Sequence, residues 1–160
     1  MLQTDINGVA RPPSVLFPLA TSDKGAVYLK EITFDGTAGK GAIGTISLWT
    51  PVGAGTVRIF VIGEVLPVSA GAGHISIGTS DDVALFCPDI LATDLTVNKV
   101  WQDQTGGGTP AFKVSYKNIL EKTVVNNGPI ILTVATGAIT AGKIKIYAMF
   151  SPIENVASLS

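Results

Sequence analysis

The sequence predicts an all-β protein, an antiparallel β-sandwich or jelly roll with an extended N-terminal arm. Three observations lead there. Short runs rich in Val, Ile, Thr and aromatic residues alternate between apolar and polar positions. Gly, Asn, Asp and Pro turns separate these runs. No segment carries the sustained apolar stripe of an amphipathic helix. The 160 residues suit one domain with an ample core. We expect an arm over residues 1–20 and a single β domain over residues 21–160.

In the arm, Asn7-Gly8 is a turn signal, and Arg11-Pro12-Pro13 and Pro18 prevent a helix. Leu2, Val15, Leu16, Phe17 and Leu19 make it too apolar for a free tail. It either lies on its own domain as a strand or docks on a neighbouring subunit. The first domain strand, Ala26–Phe34, ends at the turn Asp35-Gly36. Gly44–Thr50 sets Ile46 and Leu48 on one face and Thr45, Ser47 and Trp49 on the other, and Pro51 stops it. Thr56–Leu66 is the longest run. Val57, Ile59, Val61 and Val65 share one of its faces, while Arg58, Phe60, Ile62, Glu64 and Leu66 share the other. Gly63 within it signals a bulge or a close backbone approach.

Further strands are expected at His74–Gly78, Leu95–Trp101, Phe112–Tyr116, Pro129–Thr136 and Lys143–Ser151. The last sets Ile144, Ile146, Ala148 and Phe150 against Lys143, Lys145, Tyr147 and Met149. Asp82–Cys87 and Ser115–Lys122 have room for short helical turns. The order of the strands in space is not encoded in any local pattern.

Composition excludes several classes of function. A single Cys rules out an intrachain disulfide and an all-Cys zinc site, and a single His rules out a multi-His metal centre. The net charge of −1, from 11 basic and 12 acidic residues, leaves no footprint for nucleic acid or an anionic membrane. The apolar runs Val57–Val68 and Ile130–Ile139 are too short and too interrupted to span a bilayer. Met1–Ala10 lacks the basic stretch of a secretory signal, which points to synthesis in a cytoplasm.

The candidate chemistry is thin. Gly39-Lys40-Gly41-Ala42-Ile43-Gly44 matches the dinucleotide fingerprint in form, with Glu64 downstream. That mechanism needs a helix directly after the glycines, to face the pyrophosphate with its N-terminus. Thr45–Thr50 alternates as a strand instead, so a glycine-rich hairpin is the better reading. Cys87 and His74 are the only nucleophile and base of the Cys–His type, and Cys87 in Leu-Phe-Cys-Pro reads as a buried apolar filler. Asp81, Asp82, Asp89 and Asp94 could gather around calcium, but they lack the alternating spacing of a calcium loop. Trp49, Trp101, Tyr28, Tyr116 and Tyr147 could form a sugar-binding platform, although packing is the commoner use of each. Trp101, just before the flexible Thr105–Thr109, is the best candidate for an exposed anchor. No cofactor, metal site or catalytic residue is expected.

The charged fraction is the unusual number, 14% against about 25% in ordinary soluble domains. Between Gly41 and Ser80 the only charges are Arg58 and Glu64, and between Thr123 and Gly142 there are none. Such segments suit a protein whose flanks are buried against copies of itself or a larger lattice, and a cyclic homo-oligomer is expected. The runs Glu31–Thr45, Thr56–Val61 and Ala92–Leu95 resemble small head proteins of tailed bacteriophages and prophages, of the capsid decoration or cement type. The resemblance covers about Ala26–Ser151. It implies a β-rich trimer bound to the major capsid protein lattice, located on the virion surface and made in a bacterial cytoplasm. It also makes the arm a natural lattice-binding element, with anchors at Leu2, Val15, Leu16, Phe17 and Trp101. The rival readings are a tail, fibre or receptor-binding module and a monomeric carbohydrate-binding sandwich.

Overall fold

A computed structural model describes residues 3–4, 10–11, 26–103, 110–113, 122–125, 128–153 and 158–159. Within them the chain is strands, turns and one 3-10 turn. In chain order the strands are β1 (Gln3–Thr4), β2 (Ala10–Arg11), β3 (Ala26–Thr33), β4 (Gly44–Trp49), β5 (Pro51–Val52), β6 (Ala54–Ser69) and β7 (His74–Gly78). After them come β8 (Cys87–Leu91), β9 (Val100–Asp103), β10 (Pro110–Lys113), β11 (Lys122–Val125), β12 (Ile130–Ala135), β13 (Ile139–Pro152) and β14 (Ser158–Leu159). The 3-10 turn is Ala92–Asp94, between β8 and β9.

Two antiparallel sheets carry the domain. One runs β10-β9-β6-β13-β3, with β11 added to the start of β6, and the other runs β4-β12-β7-β8. The pairing is that of one long hairpin rolled up. The outermost strands β3 and β13 pair, then β4 with β12, then β6 with β9, and finally β7 with β8 at the tip. Each nested pair closes antiparallel, and together they give the two-sheet, double Greek-key jelly roll. The all-β expectation holds, and of its two versions this strand order is the jelly roll.

The core lies between the sheets. From the larger sheet come Ile32 of β3 and Val57, Ile59, Val61, Ile144, Ile146, Ala148 and Phe150, which alternation places on the inward rows of β6 and β13. Facing them are Leu48, Trp49, Ile75, Ile77, Cys87, Ile90, Ile130, Leu132 and Val134. Full burial of each such aliphatic side chain is worth about 1.5–3 kcal/mol, so this layer dominates the stability. Much of the charge-free sequence is therefore core. Among the large apolar residues from Thr123 to Gly142 that are described, none is exposed, whereas Ile43, Val52, Val65, Leu66 and Val68 in the earlier segment are.

Several local expectations are corrected by bulges. Ile130 pairs with Trp49 and Ile131 with Ser47, which leaves Leu48 as an extra residue and turns both Leu48 and Trp49 into the core. Ile144 pairs with Gly63 and Lys143 with Val65, so Val65 leaves the inward row and joins Lys143 on the outer face. Gly63 makes the close approach its sequence context suggests. A Cβ there would sit 2.6 Å from the Thr96 carbonyl oxygen, while its N–H donates to Lys99 O and its carbonyl accepts from Asn98 N. That crossing also explains why Leu95–Lys99 is not strand. The chain turns there, with Asn98 at φ 64°, and β9 starts only at Val100. Asp82–Cys87 is a non-helical turn leading into β8, a strand the sequence pattern does not announce.

Candidate functional site

Four charged side chains, Glu31, Glu64, Lys143 and Lys145, meet on the outward face of the larger sheet. Along β3 and residues 143–150 of β13, residues of odd number point outward, because their even-numbered neighbours face the core. Antiparallel register sets Glu31 opposite Lys145 and Leu29 opposite Tyr147, while Ile62 of β6 lies on the other side of Lys145. The extra residue Glu64 then swings beside both lysines. Lys143 Nζ lies 2.7 Å from Glu31 Oε2 and 3.0 Å from Glu64 Oε2. Lys145 Nζ lies 2.5 Å from Glu64 Oε1 and 3.6 Å from Glu31 Oε1. Next along the sheet, the rings of Phe60 and Tyr147 stack at 4.8 Å and 6°.

Each charge in this quartet is held ionised by its neighbours. The Lys143 ammonium hydrogen-bonds Glu31, and chiefly Lys145 hydrogen-bonds Glu64, so both carboxyls sit below their usual range. The same bonds hold both lysines above theirs. Two positive and two negative charges cancel within the quartet, leaving no general base or acid poised near neutral pH. It is a charge-neutral, partly exposed patch.

Beside the quartet runs the edge of the sheet. Among the described residues β3 has a ladder partner on one side only, β13. Its outward Val27 and Leu29 are 67% and 51% exposed. On its inward side Lys30 reaches across to the other sheet and donates to the carbonyls of Ser47 and Leu48, at 3.2 and 3.1 Å. Tyr28 is also directed inward, and its hydroxyl accepts from Leu159 N at 3.3 Å.

The residues singled out from sequence fall elsewhere. Leu2, Val15, Leu16 and Phe17 lie outside the described residues, as does Tyr116; within the arm, β1 and β2 pair as a short antiparallel ladder. Trp101 is not the exposed anchor expected. It pairs with Val61 in β9 and points into the core with no exposed surface, because the strand starting at Val100 puts it on the inward row. Trp49 is buried too, which removes both tryptophans from any sugar-binding platform.

His74 and Cys87 do not meet. His74 is on the outer face of the smaller sheet, where its Nδ1 is 2.6 Å from Asp89 Oδ2. Cys87 is fully buried in the core beside the Ile59 carbonyl, and burial pushes its thiol well above the ordinary value. The Gly39–Gly44 segment is a tight turn closed by Asp35. Thr37 donates to Asp35 from both N–H and hydroxyl, and strand β4 follows where a nucleotide fingerprint needs a helix. Asp81, Asp82, Asp89 and Asp94 form no three-ligand group, and none of any composition occurs among the described residues. No helix among the described residues is long and apolar enough to cross a membrane.

The charge quartet and the β3 edge were not found from sequence. Lys143-Ile144-Lys145 on an alternating strand was the available signal, but its partners Glu31 and Glu64 come from two other strands far earlier in the chain.

No protein-family model matches the chain, and no curated protein matches it. In three dimensions it is similar to a chain of the acidic stable capsid structure of Helicobacter pylori bacteriophage KHP30. The TM-score is 0.42 and the identity 15%, over 86% of this chain and 94% of that one. A likeness at that level carries no argument about function.

Proposed function

We propose that this chain is a virion structural protein, a capsid decoration protein that binds the outer capsid lattice as a homo-oligomer and stabilises it. What supports the reading is the jelly-roll strand order together with an outward sheet face on which Glu31, Glu64, Lys143 and Lys145 form a charge-balanced patch beside the exposed Val27 and Leu29. Jelly rolls serve viral capsids, lectins and cupins, and a fold alone does not choose among them. Cupin-type metal chemistry needs several imidazoles, and the chain has one His. An aromatic glycan platform loses its two tryptophans to the core. A lattice-binding role needs only complementary surface.

The mechanism is interfacial. A bound oligomer buries area across capsomer joints present in the expanded shell, and binding that state alone shifts the expansion equilibrium toward it. The apolar arm residues supply the anchors. The test is to delete residues 2–20 and measure co-sedimentation with expanded shells of the major capsid protein from the same phage or prophage genome. The expected product is folded and no longer binds; full affinity without the arm refutes the arm's role, and no binding by the intact chain refutes the decoration reading.

A further inference from the structure

Among the described residues the edge of β3 away from β13 has no ladder partner, and its exposed half is self-complementary. We propose that β3 pairs antiparallel with β3 of a second copy of this chain, about a two-fold axis at Tyr28. The proposal rests on the homo-oligomer reading and adds the surface through which copies meet.

Three features fix the register. An open strand edge presents a row of unpaired N–H and C=O groups, and another strand is what satisfies them. A two-fold centred on Lys30 brings two ammonium groups face to face, and one centred on Leu29 sets Glu31 against the apolar Val27 of the second copy. Centring on Tyr28 sets Val27 against Leu29 of the second copy, twice over, and places Lys30 opposite position 26, an alanine. Those two residues are the exposed apolar ones on this edge, at 67% and 51%.

An inward-pointing lysine on an edge strand ordinarily discourages such pairing. Here the Lys30 ammonium is already committed to the Ser47 and Leu48 carbonyls, where the β4 bulge makes Leu48 an extra residue, so a second strand does not strip it of partners. The quartet around Lys143 and Lys145 is neutral and lies on the same outward face, so two copies meet without like-charge repulsion from it. The contact is isologous. It joins copies in pairs, within one oligomer or between two.

The test uses the full chain at micromolar concentration. Wild type is expected to sediment as an even number of copies. Leu29→Glu, with an unchanged circular dichroism spectrum and melting profile, is expected to weaken self-association at least a hundredfold, since each pair buries Leu29 twice. The double variant Val27→Cys/Leu29→Cys is expected to form a disulfide-linked dimer under mild oxidation, while neither single variant does. An assembled wild type whose mass is unchanged by Leu29→Glu, or cross-linking by either single variant, overturns the pairing or its register. A wild type that is monomeric throughout overturns the homo-oligomer reading itself, and this contact with it.

Discussion

Trp101→Ala separates a buried structural tryptophan from an exposed binding anchor. Trp101 has no exposed surface and packs from β9 against the central strand β6, opposite Val61. Removing so large a buried side chain costs about 3–5 kcal/mol, from lost transfer energy plus the cavity left behind. For a domain of this size each kcal/mol shifts the melting temperature by about 2–4 °C, so the variant should melt roughly 6–20 °C lower. Trp101→Phe refines the argument. The indole Nε1 is buried with no hydrogen-bond partner among the described residues, and such a group costs about 1–3 kcal/mol of desolvation. Phenylalanine removes that cost while keeping most of the ring, so its net loss should fall below about 2 kcal/mol. Guanidinium unfolding followed by circular dichroism measures both variants, with an unchanged slope as the check on two-state behaviour. A loss under about 1 kcal/mol for Trp101→Ala, together with lost binding to capsid shells, refutes the buried placement.

Three further outcomes are expected. Gly63→Ala should destabilise by about 1–3 kcal/mol, because the new methyl meets the Thr96 and Leu95 carbonyl oxygens at 2.6 and 3.0 Å, and a melting curve like that of wild type contradicts the close crossing. Glu31 and Glu64 sit below the ordinary 4.5, so their contribution to stability is complete above that value and fades as the pH falls through their folded values. The lysines sit above 10.5, so their contribution is complete below that value and fades as the pH rises through the folded values. Glu64→Gln should therefore flatten the acid limb of the stability profile, and 1 M salt, in which the screening length is about 3 Å, should shrink the difference from wild type. The Cys87 thiol should resist a disulfide reagent in the native protein and react fully once unfolded; rapid native reaction contradicts its burial.

Alternation made the inward rows of β6 and β13 legible, because a half-buried strand writes its two faces into the order of its residues. Val57, Ile59, Val61, Ile144 and Ile146 fall where that pattern puts them. The same rule failed at Val65 and Trp49, since a bulge adds a residue and exchanges the faces beyond it. Gly63 announced the bulge in β6, but which faces it exchanges is set by the partner strand, and nothing local marks the bulge at Leu48. The rolled-hairpin order was hidden for the same reason, as it joins β3 to β13 across nearly the whole chain. Trp101 misled because Gln102 and Asp103 beside it look like a solvent-facing strand end, yet both are buried. The charge quartet depends on three strands at once, so only the register assembles it.

Sedimentation equilibrium of the full chain at micromolar concentration tests the central claim, that this jelly roll works by assembly. The account predicts a stable homo-oligomer. A stable monomer across that range contradicts it.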